Sequence, residues 1–360
     1  MRVSLVLLLL SPACLAHSAL YDITGLMRQS TIGLLGGQAL HVDGSSDPAT
    51  RVVFEDLVPG ANWEHSAVVR VETLLGMTVS QTPVLRPPAN LENSLYLSGL
   101  RPLGVQDVGI SLTDLNGRYA VSHPERFHAL LINGEASRRH RNDFAFLYQT
   151  LTRVYGYRPE NISIADHVHR DRSPDLDGDG KPDIRYGSSR ADISSLLDLL
   201  SKALVPQDHL LIVLNAHGSR NGGESTILLP DGELKASELV SLTATLPTRH
   251  ILTVAGTCYG GGFVRPVVSD GRPAAAAATN LELSWATDDM NFDEFLYWLT
   301  AAFAGQTHVG LEMNADLNKD GRISFQEAFA FAVNHDPQKE SPLLESLMNS
   351  GDAMQMGLGF

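Results

Sequence analysis

The amino-acid sequence predicts an α/β fold: a mostly parallel sheet flanked by helices, with a small all-β domain before it and an acidic loop-and-helix segment after it. Three observations lead there. From about 125 to 306, continuous apolar runs such as "HALLING" and "DHLLIVLNAHG" alternate with stretches of helical spacing such as "RADISSLLDLLSKAL". Strands that are apolar on both faces and separated by helices build parallel sheets covered on each side. From 20 to 124 the chain carries short Val- and Thr-rich runs broken by Gly, Pro and Asp, the pattern of an all-β domain. From 307 to 360, the acidic stretch "DLNKDGRISFQE" runs straight into the helical pattern "FQEAFAFAV".

The elements follow in order. "MRVSLVLLLLSPACLAHSAL" has Arg2, the apolar run Val3–Leu10 and small residues from Ala13 to Ala19. This is the form of a secretory signal peptide over 1–19. No later segment reaches the ~18 unbroken apolar residues of a membrane span, so a secreted or periplasmic protein without a transmembrane segment is expected. "TRVVFEDL", "SAVVRVETL" and "LYLSGLR" read as strands, and "DVGISLTDLNGRYAVS" as a hairpin around Asn116-Gly117. The α/β region then gives the strand "HALLING", the helix "DFAFLYQTLTRVYG", the strand "ENISIADH" and the helix "RADISSLLDLLSKAL". The strand "DHLLIVLNAHG", the helix "KASELVSLTATLP", the strands "RHILTVAGTC" and "AAAAATN" and the helix "FDEFLYWLTAAFAG" complete it. The formal net charge of -14 argues against nucleic acid as a partner, because phosphate binding needs a basic face.

The chemistry gathers at two strand ends. Cys14 leaves with the signal peptide, so Cys258 has no internal partner in an oxidising compartment. It follows "ILTVAGT", as His217 follows "LLIVLNA". Ligands bind beyond the carboxyl ends of parallel strands, and neighbouring strands bring both residues to one crevice. A thiol becomes a nucleophile beside a base, and a histidine can take its proton and later return it to a leaving amine. The amides of Gly218 and Cys258 are placed to meet a developing oxyanion, and Gly260 to Gly262 leave room for a substrate backbone. The competing reading is that His217 caps a strand and Cys258 packs as a small apolar residue.

In these residues the chain resembles caspase-like cysteine peptidases, and most of all the legumain family. The resemblance covers about Phe127 to Gly305 and rests on four segments in the family's order: "ALLINGEASRRHRNDFAFLYQTL", "PQDHLLIVLNAHGSRNG", "HILTVAGTCYGGGF" and "AAAAATNLELSW". It implies a caspase-like catalytic domain over 125–306. His217 would be the general acid/base, Cys258 the nucleophile and Gly218 an oxyanion donor. Arg139 and His140 would line the substrate pocket. Two positions depart from the family: Ser137 stands for its supporting Asn, and Gly256 for an acidic pocket residue. With Gly256 in place, Arg139 is expected to lack part of its charge compensation, which Asp293 would replace in part. The pocket is then expected to favour aspartate over asparagine before the cut.

Two acidic loops have calcium spacing. In Asp316–Glu327 the oxygens would come from Asp316, Asn318, Asp320, the Arg322 carbonyl, Ser324 and Glu327, with Gly321 at the turn; this resembles an EF-hand loop. In "DLDGDGKPD", Asp175, Asp177 and Asp179 repeat the spacing, and Asp183 follows. The sequence therefore points to a secreted, calcium-binding cysteine endopeptidase acting on peptide or protein substrates. A transpeptidase of the same family and a non-catalytic calcium-dependent binding or scaffold module are the alternatives.

Overall fold

The computed structural model describes residues 18–27, 31–34, 38–42, 49–57, 67–86, 88, 95–99, 108–113, 119–134, 137–167, 174–269, 271–338, 340–347 and 356–359. The expected signal peptide up to residue 17 and the Asn116-Gly117 turn lie outside them. The chain divides into two compact units, with the boundary at Pro102/Leu103.

The first unit holds β1 (Ala19–Asp22), β2 (Thr31–Gly33), β3 (Ala39–His41), β4 (Thr50–Asp56), β5 (Ala67–Thr73), β6 (Thr78–Val84) and β7 (Leu95–Gly99). Five of these form a sheet in the order β6-β5-β4-β1-β7, antiparallel throughout. β2 and β3 pair separately. Val69 and Val71 alternate with less buried neighbours along β5, as antiparallel strands with one covered face do, while Val52, Val53 and Phe54 of β4 are all buried.

The second unit is mixed α/β. Its strands are β8 (Phe127–Asn133), β9 (Ile162–Ala165), β10 (His209–Asn215), β11 (Gly218–Asn221), β12 (Glu224–Leu229), β13 (Gly232–Lys235), β14 (His250–Ala255), β15 (Ala274–Ala276) and β16 (Leu343–Glu345). Its helices are α1 (Arg138–Gln149), α2 (Arg190–Ala203), α3 (Ala236–Thr243), α4 (Gly261–Val267), α5 (Glu294–Ala304) and α6 (Phe325–His335). The main sheet has the order β16-β15-β14-β10-β8-β9, parallel except for the edge strand β16. The remaining three strands, β11-β12-β13, form a small antiparallel sheet.

Apolar runs explain the layers. In β10, Leu211 and Val213 join a core with Phe144 and Leu147 of α1, Phe295 and Leu299 of α5, and Phe325 of α6. Leu210, Ile212 and Leu214 point the other way, into a core with Ile193 and Leu196 of α2, Leu239 of α3 and Phe263 of α4. Both faces are therefore covered. The Ser189 hydroxyl caps α2 by accepting from Asp192 N–H (3.1 Å), and α5 stops at Gly305 with φ 64. After β8 the chain steps to the edge at β9 and then crosses back to β10 on the opposite side of β8. In open parallel sheets, ligands bind beyond the carboxyl ends of the strands at such a reversal, here those of β8 and β10.

One expected element is different. Residues 108–113, read as one arm of a hairpin, form no strand. Ser111 N–H donates to the His308 carbonyl (2.7 Å), and Thr113 N–H donates to Gln306 Oε1 (2.8 Å). These bonds satisfy the backbone without a hairpin and tie the stretch to the loop after α5. No helix among the described residues is long and apolar enough to cross a membrane.

Candidate active site

β10 and β14 pair in parallel, and their last paired residues are Leu214 and Ala255. His217 and Cys258 follow these two residues at the same spacing, so the two strand ends present them side by side. Gly218 closes the gap further. A Cβ at Gly218 would fall 2.1 Å from the Cys258 carbonyl oxygen and 2.4 Å from Thr257 Oγ1, so only glycine fits. His217 is held in turn by Leu228 N–H, which donates to its carbonyl (2.8 Å).

The residue after the cysteine is strained. Tyr259 has φ 58, a left-handed conformation that costs a bulky residue about 1–3 kcal/mol. Tyr259 N–H donates to the Glu282 carbonyl (2.8 Å), and the Ser225 hydroxyl donates to the Tyr259 carbonyl (2.6 Å). Gly262 does not leave open space for a substrate, as its sequence position suggests. A Cβ there would fall 2.0 Å from Ser225 Oγ, because the start of α4 packs tightly on β12.

Cys258 is free and fully buried. Its thiol lies against Ser284, whose N–H donates to Sγ at 3.3 Å. Burial pushes the thiol well above its ordinary range; the Ser284 amide and hydroxyl pull it down, and the charges of Glu340 and Asp293 push it up again. In this closed arrangement the sulfur is a thiol at neutral pH.

Beside His217 and Cys258 lies a buried polar network. Arg139 and His140 open α1, and Asp293 precedes α5. Arg139 Nε is 3.2 Å from Asp293 Oδ1, and His140 Nε2 is 3.3 Å from Asp293 Oδ2. The His140 and His217 rings meet edge-on with centroids 5.4 Å apart, which links the network to His217. Asp293 N–H donates to both oxygens of Asp143 (3.2 and 3.1 Å), and Asn215 Nδ2 donates to Asp143 Oδ2 (2.9 Å). Burial, with the Asp293 carboxylate beside it, pushes the Asp143 carboxyl well above the usual range. Asp293 stands at ion-pair distance from Arg139, in the role expected of it beside Gly256, and is shared with His140.

Asp143 and Asn215 carry no motif. Asp143 lies four positions after Arg139 and Asn215 two before His217, and helical spacing alone puts Asp143 on the Arg139 face of α1. Ser284 and Glu340 leave no signal in the sequence.

The two acidic loops differ. Asp175, Asp177 and Asp183 each offer an oxygen, all within 4.8 Å of one another. Asp179 turns away to Lys181 Nζ (2.8 Å). Asp183 accepts from the Tyr148 hydroxyl and Leu176 N–H (2.7 Å each). Such an all-oxygen set suits a hard cation such as calcium. In the other loop, Asp316 accepts from Asp320 N–H (3.2 Å) and Gly321 N–H (2.9 Å), while Asn318 Nδ2 donates to Asp320 Oδ2 (3.1 Å) and Arg322 N–H donates to Asp320 Oδ1 (2.9 Å). Glu327 accepts from Leu317 and Asn318 N–H (3.0 and 3.1 Å), and it forms a capping box with Ser324 at the start of α6. Ser324 and Glu327 thus serve as helix cap as well as candidate ligands.

No family model matches the chain, and no curated protein matches it at a significant level.

Proposed function

We propose that the protein is a secreted, calcium-binding cysteine endopeptidase with His217 and Cys258 as its dyad, the activity that its resemblance to the legumain family implies. The observation that carries this reading is the convergence of the ends of β10 and β14, with Gly218 pressed on the Cys258 carbonyl. Close backbone approach and a strained residue next to a cysteine are typical of built sites rather than of packing.

In the proposed reaction His217 takes the Cys258 proton and the sulfur attacks the scissile carbonyl carbon. The C–N bond breaks, and His217 returns the proton to the leaving amine. Water, deprotonated by His217, then attacks the thioester and releases the acid and the thiol. An amine in place of water gives transpeptidation. Arg139, His140 and Asp293 line the pocket in this reading. Asp175, Asp177 and Asp183, and the loop from Asp316 to Glu327, would hold calcium as a structural ion.

The test is a peptide-library digest read by mass spectrometry. Cys258→Ala and His217→Ala should each lower cleavage by roughly 10³-fold or more, with unchanged circular dichroism. Near-wild-type turnover in either variant would remove the dyad. The second reading, a non-catalytic binding module, is favoured by one observation: the full burial of Cys258. It is adopted if no peptide is cut and the thiol stays inert.

A further inference from the structure

Gln338, Glu340 and Ser341 lie between α6 and β16, and all three side chains reach the stretch 282–286. Gln338 Nε2 donates to the Ala286 carbonyl (3.3 Å), Trp285 N–H donates to Glu340 Oε2 (2.9 Å), and the Ser341 hydroxyl donates to Glu282 Oε1 (3.2 Å). That stretch is the cover of the thiol. Ser284 N–H points at Sγ (3.3 Å), and the Glu282 carbonyl accepts from Tyr259 N–H (2.8 Å). Both ends of the 338–341 link are anchored: α6 packs in the core through Phe325, Ala328 and Ala332, and β16 pairs with β15 at the sheet edge.

We propose that Gln338, Glu340 and Ser341 form a strap that clamps 282–286 over Cys258 and keeps the site shut until the strap is displaced. The inference rests on reading Cys258 as the reactive centre. It explains how a site with a tightly built dyad has a thiol with no exposed surface. It also explains a buried carboxyl in an acidic neighbourhood. Burial and its contact with Asp336 raise the Glu340 carboxyl well above the usual range. Its Oε2 accepts from Trp285 N–H, the bond that ties it to the cover. Glutamine at 340 keeps a side-chain oxygen to accept from Trp285 N–H; alanine has none.

The experiment measures iodoacetamide labelling of Cys258 in the full chain, at one neutral pH, with circular dichroism to exclude unfolding. Glu340→Ala and Gln338→Ala should label about tenfold faster or more, as when a hydrogen bond that holds a local opening shut is lost. Glu340→Gln should label at the wild-type rate. Labelling of the alanine variants at the wild-type rate, or of Glu340→Gln as fast as Glu340→Ala, would overturn the strap. If Glu340→Ala does not fold, Gln338→Ala against Glu340→Gln decides. Peptide cleavage, measured on the same samples, separates the two proposals. Faster labelling with no cleavage in any variant leaves the strap and removes the peptidase. Cleavage with equal labelling does the reverse.

Discussion

Asp143 is the residue that joins both halves of the candidate site, since it receives Asp293 N–H from one side and Asn215 Nδ2 from the other. Alanine there would leave two buried donors without an acceptor, at a cost of about 1–3 kcal/mol each. Asparagine keeps an acceptor oxygen for both and offers its amide toward Asp293. Asp143→Ala is therefore expected to lower kcat/KM by roughly tenfold to a hundredfold, and Asp143→Asn to restore most of it. Steady-state kinetics with a melting curve for each variant would check this; equal losses in the two would reduce Asp143 to a packing residue. His217 and Cys258 were legible in the sequence because apolar runs ending beside glycine announce strand ends. Asp143 was not, because nothing in a sequence distinguishes a buried acid from a solvated one on the same helix. Asp293 was named beside Arg139 through the resemblance alone, because the two are distant in sequence and meet at 3.2 Å where the starts of α1 and α5 come together.

Among the elements, the acidic loops were visible as spacing, but the convergence of particular oxygens was not. Asp179 has the right position and pairs with Lys181 instead, whereas Asp183 is brought in by Tyr148 and Leu176. Calcium is expected to raise the melting temperature, since a ligand that binds only the folded state stabilises it by about 2.7 kcal/mol at a hundredfold excess over Kd. Asp175→Asn with Asp177→Asn should remove part of that rise, and adding Asp316→Asn the remainder. Calorimetry in millimolar calcium against chelator is the measurement, and identical melting points would dismiss the ion. Glu327 is a poor probe, because its loss also uncaps α6 and destabilises the protein in chelator. The strands β11 to β13 went unread in the sequence: the "NGG" and "PDG" turns mark hairpins, but the intervening runs are too short and mixed for a clear period of two.

On the scale of the whole molecule, the parallel register that aligns one end of the sheet also aligns the other. Phe127, His209 and His250 are neighbours across β8, β10 and β14, and their rings stack with centroids 4.6 and 4.8 Å apart. Burial, then the charge of His250, lowers His209 to about 4, with Asp208 opposing and Arg126 adding to the shift. An unfolded histidine titrates near 6.5. The unfolded chain thus binds more protons between these values, so this contribution is full above about 6.5 and is lost as pH falls toward 4. Discounted for partial solvent access, it amounts to about 1 kcal/mol, or roughly 2 °C in a chain of this size. His209→Phe should shrink the drop in melting temperature between pH 7 and pH 5, and an unchanged drop would clear the ladder of that role. The layered fold was legible because its strands are apolar on both faces. The order of strands was not, because registers and crossovers are fixed by helix packing rather than by any local pattern. That order has a consequence for biogenesis. The central strand β10 needs β8 and β14 from far along the chain, and the edge of the sheet at β15 is covered only by β16, at residues 343–345. Long-range parallel pairing is slow, and an uncovered edge invites association with other chains. Until residue 345 has left the ribosome the sheet lacks β16 at the β15 edge, so a nascent chain would depend on holding factors to keep that edge from other chains.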